Sequence, residues 1–218
     1  MQEQLTDGAG EQTIIEAQGE NTKRIRVARR VSNILAPATI SLPFIVLVAF
    51  YQSQDQLTAF IYACITLFFL SVGPLLYIII GVRLGKLSDI DVSRRSQRVG
   101  PFMFGIVSVM IGWFVLTLTN GPRNLQTVMI ITVFSGIIMM VITFWWKISM
   151  HASSLGGVAT MLTVLYGAVM LPLFVLLVLV SWSRVVLRRH TVTQVIAGSL
   201  AGIVLSLVIL KLRGVNYH

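Results

Sequence analysis

The sequence predicts an all-α fold: a polytopic membrane helix bundle of about seven spans. Two observations predict it. Of 218 residues, 56% are hydrophobic and 11% charged, with a mean hydropathy of +0.84. A soluble domain carries about 25% charged residues and has no means of hiding so much apolar surface. Apolar runs also recur at about 34–51, 57–83, 101–119, 125–146, 152–187 and 191–212. A helix needs about 20 such residues to cross the hydrocarbon. A disulfide scaffold is excluded, because Cys64 is the only cysteine and lies inside an apolar run.

Taken in order, residues 1–30 are expected to be a disordered tail, first acidic and then basic. Glu3, Asp7, Glu11, Glu16 and Glu20 fall in its polar part, which has no apolar periodicity. No signal peptide is expected, since no cationic start leads directly into an apolar core. Lys23, Arg24, Arg26, Arg29 and Arg30 follow as an inside-facing anchor. Residues 31–218 form the transmembrane domain. Five of the six apolar runs are of single-span length. The run 152–187 is too long, and Gly167 and Pro172 bracket its middle. A tight hairpin of two short spans gives seven crossings; one long Pro-kinked helix gives six. Trp145, Trp146 and Trp182 flank apolar runs as interfacial anchors. Gly198 and Gly202 form a small-xxx-small pair expected to pack helices closely.

Seven spans put 14 of the 17 Lys and Arg on the N-terminal side, leaving Arg123, Lys211 and Arg213 opposite. The positive-inside rule then makes the N-terminal side cytoplasmic. The basic residues sit between apolar spans, which points to anionic headgroups and not to nucleic acid. No acid follows Asp91. Beyond that point no carboxylate is present for acid–base work or for holding a metal.

Three polar clusters interrupt the apolar runs: 91–98, 147–154 and 183–194. Pairs of spans separate them, so all three lie on one membrane face. His151 and His190, two of three histidines, fall within them among basic residues. A histidine among cations loses proton affinity and keeps a neutral, nucleophilic imidazole. Several bases without carboxylates suit an anion, and the Arg fork fits phosphate oxygens. The chemistry this suggests is phosphoryl transfer, one histidine attacking phosphorus and the other protonating the leaving oxygen. Loop bases resting on headgroups are the alternative. Ser153 and Ser154 are expected to start a helix and not to bind ligand.

Ser183-Arg184, five residues, His190 resembles the third signature of the type 2 phosphatidic acid phosphatase (PAP2) superfamily, which is Ser-Arg, five residues, His, three residues, Asp. Ser149 and His151 match the Ser and His of its Pro-Ser-Gly-His, with Ile148 and Met150 replacing Pro and Gly. Arg98 matches the Arg of its Lys, six residues, Arg-Pro, where Asp91 and Val99 replace Lys and Pro. The resemblance covers about residues 86–205.

That resemblance implies a membrane phosphatase acting on a lipid phosphate or diphosphate, of isoprenoid or phosphatidate type, through a phosphohistidine and without metal or other cofactor. It implies His190 as nucleophile and His151 as general acid, with Arg98, Ser149 and Arg184 holding phosphate. Lys147 and Arg95 are close enough in sequence to supply the charge missing at Asp91, which could instead orient an arginine. Gln194 stands where the family has the Asp that supports the nucleophile. At i+4 from His190 its amide is expected to reach the ring, without the negative charge. The alternative is a weak or inactive lipid-phosphate-binding or lipid-moving protein. A magnesium-dependent prenyl-transfer enzyme would need more acids than Asp89 and Asp91. The sequence does not fix the oligomeric state.

Overall fold

The computed structural model describes residues 21–51, 53–90, 92 and 94–215, with the backbone alone of Arg95. Every regular element among them is helical. The first two helices, α1 (Asn21–Ile34) and α2 (Pro37–Phe50), meet at a bend of 43°. Pro37 lacks an N–H and holds the preceding Ala36 extended, at φ −69° and ψ 147°, which ends α1. The tail expected to be disordered through residue 30 is thus helical from Asn21; residues 1–20 lie outside the described residues. The reason is tertiary. Ala28 and Ser32, one turn apart, are both buried, while Arg24, Arg26, Arg29 and Arg30 stay exposed. In α2, Ile40, Ser41, Phe44, Ile45, Val48 and Ala49 bury one stripe at helical spacing.

The next span runs unbroken over Gln56–Arg83. It comprises α3 (Gln56–Leu67), capped by the Asp55 carboxylate accepting from Leu57 N at 3.0 Å, a π-helical turn (Phe68–Val72), and α4 (Gly73–Arg83). Pro74 explains the turn. Gly73 N bonds to Phe68 O in the wider register, and the donor due next to Phe69 O would be Pro74, which has none. Ser108 Oγ donates to Phe69 O instead, at 2.7 Å.

Three long helices follow: α5 (Val99–Leu118), α6 (Arg123–Thr143) and α7 (Met150–Tyr166). The 152–187 run is divided, so the single-helix alternative is set aside. Gly167, at φ +78°, ends α7 in a conformation closed to most other residues; a 3-10 turn (Gly167–Met170) and Pro172 then lead into α8 (Leu173–Val186). Leu177 and Val180 of α8 return to pack with Ala152 and Leu155 of α7, making an antiparallel hairpin. The last helix is α9 (Val192–Leu212).

Among the described residues five helices, counting α7 with its 3-10 turn, are long and apolar enough to cross a membrane, and six if the bent α1–α2 pair is counted as one span. At 14 residues, α8 rises about 21 Å, short of the roughly 30 Å of hydrocarbon. The chain is a multi-pass membrane protein. One end of the bundle gathers the α1–α2, α4–α5, α6–α7 and α8–α9 connections. The other is tied by Arg123 Nη2 donating to Arg213 O (2.8 Å), Tyr62 Oη to Thr119 O (2.6 Å) and Tyr166 Oη to Leu47 O (2.7 Å).

The closest helix pairing is α7 on α9, and glycine makes it. A Cβ on Gly198 would stand 2.5 Å from Ser149 O, and one on Gly202 closer still to Ser153 O. The small-xxx-small pair is therefore spent inside the bundle, as expected. It draws the start of α7 against the start of α9, the two places where the histidines lie.

Candidate active site

Each histidine is set by a helix start. Ser149 caps α7, its Oγ accepting from Ala152 N at 3.4 Å, which makes His151 the second helical residue. Ser149 N donates to Gln194 O at 3.3 Å and locks that cap to α9. On the other side, α8 ends just beyond Arg184. The chain turns back through Arg188, at φ 52°, so that Arg189 N and His190 N both donate to Arg184 O, at 3.0 and 3.3 Å. This closure sets His190 beside Arg184. Arg98, at the start of α5, donates from Nε to Val92 O at 3.0 Å.

His151, His190, Arg98 and Arg184 are all buried, at 4–8% exposure, and line one cavity of about 390 Å³. Burying four such polar groups at one place in an apolar bundle is costly unless they serve a ligand or one another. The His190 pKa is lowered to about 4, first by burial and then by the positive charges of Arg184, Lys147 and Arg98; the Lys147 main-chain carbonyl opposes the shift. Lys147 is itself lowered, by burial and then by Arg98, Arg189 and Arg184, against the pull of Asp89. The cations thus converge on His190, and the ring is neutral at neutral pH. Outside this site, α1 and the 184–189 segment enclose a vestibule of about 1120 Å³ lined by Arg24, Arg29, Arg188 and Arg189.

The structure brings together His151, His190, Arg98 and Arg184, with Lys147 close by. Ser149 is fully buried and serves as a helix cap; neither it nor Lys147 is among the residues lining the cavity. Asp91 and the Arg95 side chain lie outside the described residues. The Gln194 expectation is corrected. Its Oε1 accepts from Thr191 N at 3.1 Å while its own N–H donates to Thr191 Oγ1 at 3.3 Å, a reciprocal cap of α9. At the third position of the helix the amide turns back to the cap and not to the ring. His190 Nδ1 is left buried with no hydrogen-bond partner among the described residues.

Sequence reasoning missed Ser32, buried on α1, whose Oγ accepts from Arg184 Nη1 at 2.8 Å. It missed Asp89 and Arg189 beside Lys147. Ser153, expected only to start a helix, also lines the cavity. A serine 152 residues from its partner gives no local signal. The basic clusters did hold Arg189, without distinguishing it from its neighbours.

Residues 127–217 match the family model of the PAP2 superfamily. The matched stretch contains His151, Arg184 and His190; Arg98 lies before it. No curated protein and no solved structure matches the chain. The matched residues 127–217 include both histidines and the paired helices α7 and α9 that bring them together, so this stretch is similar to the PAP2 superfamily.

Proposed function

We propose that the protein is a membrane phosphatase that hydrolyses a lipid phosphate or diphosphate through a phosphohistidine, without a divalent cation. One observation carries this reading: two buried histidines, one on α7 and one in the α8–α9 turn, line the same cavity as two buried arginines. The match of residues 127–217 to the PAP2 family model supports phosphatase chemistry on phosphate esters.

In the first step Arg98 and Arg184 hold the phosphate oxygens and offset their charge. The neutral His190 imidazole attacks phosphorus. An N–P bond forms, the P–O bond to the lipid breaks, and His151 gives its proton to the departing oxygen. In the second step His151 takes a proton from water, the oxygen attacks phosphorus, and the N–P bond breaks to release phosphate. Burial and neighbouring cations make the His190 lone pair available, but they disfavour the positive charge the ring carries once phosphorylated. The Lys147 carbonyl offsets part of that cost.

The test is phosphate release by purified protein in EDTA from a panel of lipid phosphates. His190→Ala and His151→Ala should each lower release at least 10³-fold, and acid-labile label should be trapped on His190. Full release by both variants overturns the assigned roles. A second reading, lipid-phosphate binding without turnover, draws on the unpartnered Nδ1 and the committed Gln194. It is favoured if headgroups bind and no phosphate is released.

The catalytic end carries 14 of the 17 Lys and Arg, which supports a cytoplasmic site.

A further inference from the structure

We infer that the vestibule outside the histidine cavity is a second anion-binding site, and that it takes a phosphate group, from free phosphate or from a lipid headgroup. The inference does not rest on the phosphatase reading, since Arg24, Arg29 and Arg188 lie outside the cavity that the histidines line. Among the described residues the vestibule is lined by five arginines, Arg24, Arg29, Arg184, Arg188 and Arg189, against one acid, Asp89. A concave surface lined by one sign of charge focuses its field and concentrates counter-ions. Guanidinium forks match oxygen anions in pairs of hydrogen bonds. A phosphate group offers three terminal oxygens and up to two charges, so it engages several forks at once where a carboxylate engages one.

Both walls sort their charge toward this space. Asn21, Arg24, Ile25, Arg29 and Ser32 line it at helical spacing, so α1 gives it one face, with the buried Ala28 on that same face. Arg26 and Arg30 fall on another face of α1 and do not line it. On the facing wall, Arg188 stands at φ 52°. Left-handed backbone favours glycine, which would close this turn with less strain. An arginine is held there instead, exposed and lining the vestibule. Arg184 joins the two spaces. It lines both the vestibule and the histidine cavity, and its Nη1 donates at 2.8 Å to the Oγ of Ser32, on the vestibule wall. A phosphate group held by Arg24, Arg29 and Arg188 therefore shares a guanidinium wall with the histidines.

The experiment is protection from phenylglyoxal, which modifies guanidinium groups, read residue by residue by mass spectrometry on the full chain in nanodiscs. One arm uses pure phosphatidylcholine with and without millimolar inorganic phosphate. The other uses four parts phosphatidylcholine to one part phosphatidylglycerol, without free phosphate. Modification of Arg24, Arg29 and Arg188 should slow at least fivefold in one arm or both, while Arg26 and Arg30 stay within twofold. Selective protection in the first arm identifies free phosphate as a ligand, and in the second a lipid headgroup. Equal protection of all five is what a diffuse cationic surface gives and overturns the inference, as does no protection in either arm. Variants then test whether one anion is shared. Arg24→Gln/Arg29→Gln should abolish the protection of Arg188. Arg26→Gln/Arg30→Gln removes the same charge from the same helix and should keep that protection within twofold. If Arg188 is protected equally in the two variants, α1 is not part of the site and the inference fails. Turnover plays no part in this readout, so a protein that releases no phosphate from any lipid overturns the phosphatase reading and leaves the vestibule site standing.

Discussion

At the scale of single residues, the site turns on keeping one imidazole neutral in a cationic pocket. His190 has its pKa lowered to about 4, by burial before charge. Its titration, followed by nitrogen NMR on histidine-labelled protein, is expected near 4; a midpoint near 6.5 would show the ring to be solvated. The linkage has a definite sign. Between pH 6.5 and about 4 the unfolded chain takes up the proton and the folded chain does not. This residue's contribution to stability is therefore present above pH 6.5 and is lost as pH falls through that window. A second expectation concerns Gln194. As a cap, its replacement by Ala should cost about 1 kcal/mol of stability and leave kcat within threefold. A drop of 100-fold without loss of stability would return it to the catalytic group. A third concerns Ser32→Ala, which removes a buried hydrogen bond to a charged group. It should weaken substrate affinity about tenfold while sparing kcat, a split visible in steady-state kinetics. The histidines and the two buried arginines were legible because their spacing along the chain is fixed by the turns that bring them together. Ser32 was not, since only the packing of α1 against the end of α8 makes it a partner. Gln194 was misplaced because i+4 spacing assumes a continuous helix, and His190 stands outside α9.

Among the helices, the pairing of α7 with α9 decides whether the histidines meet. Gly198 and Gly202 have no room for a Cβ against the backbone of Ser149 and Ser153, whereas Gly105 has open space. Gly202→Ala should force the helices apart, lowering stability by about 2 kcal/mol and activity by at least tenfold, because His190 directly precedes the N-cap of α9 and moves with it. Gly105→Ala should be neutral or slightly stabilising, through helix propensity alone. Equal thermal stability of the two variants would refute the packing account. Most of the helix pattern was open to reading, since apolar run length and the Gly167–Pro172 break act locally. The basic segment of α1 was not. Its charges look like a solvated tail, and only Ala28 and Ser32, four residues apart against the bundle, make it a helix with a buried face. The π-turn at Phe68–Val72 was hidden as well, because the run through it stays apolar.

Taken whole, the molecule is polarised between its two ends. Arg98 and Arg184 line the cavity and Lys147 lies close to it, so these three say little about orientation. Setting them aside still leaves 11 basic residues at the histidine end against Arg123, Lys211 and Arg213 at the other. Near an anionic leaflet each exposed base contributes about 1 kcal/mol, so the imbalance favours one orientation by several kcal/mol even after screening. Four of the 11, Arg24, Arg26, Arg29 and Arg30, are exposed on α1, where Arg24 and Arg29 line the vestibule. The orientation is open to direct measurement. In a Cys64→Ala background, Lys86→Cys and Arg123→Cys report on opposite ends of the bundle, and both native side chains are exposed. An impermeant maleimide added to intact cells should label position 123, and position 86 only after permeabilisation. The reverse pattern would put the histidines on the outer face, where the substrate would be a lipid phosphate presented from outside, and the basic residues would owe their placement to substrate binding and not to insertion.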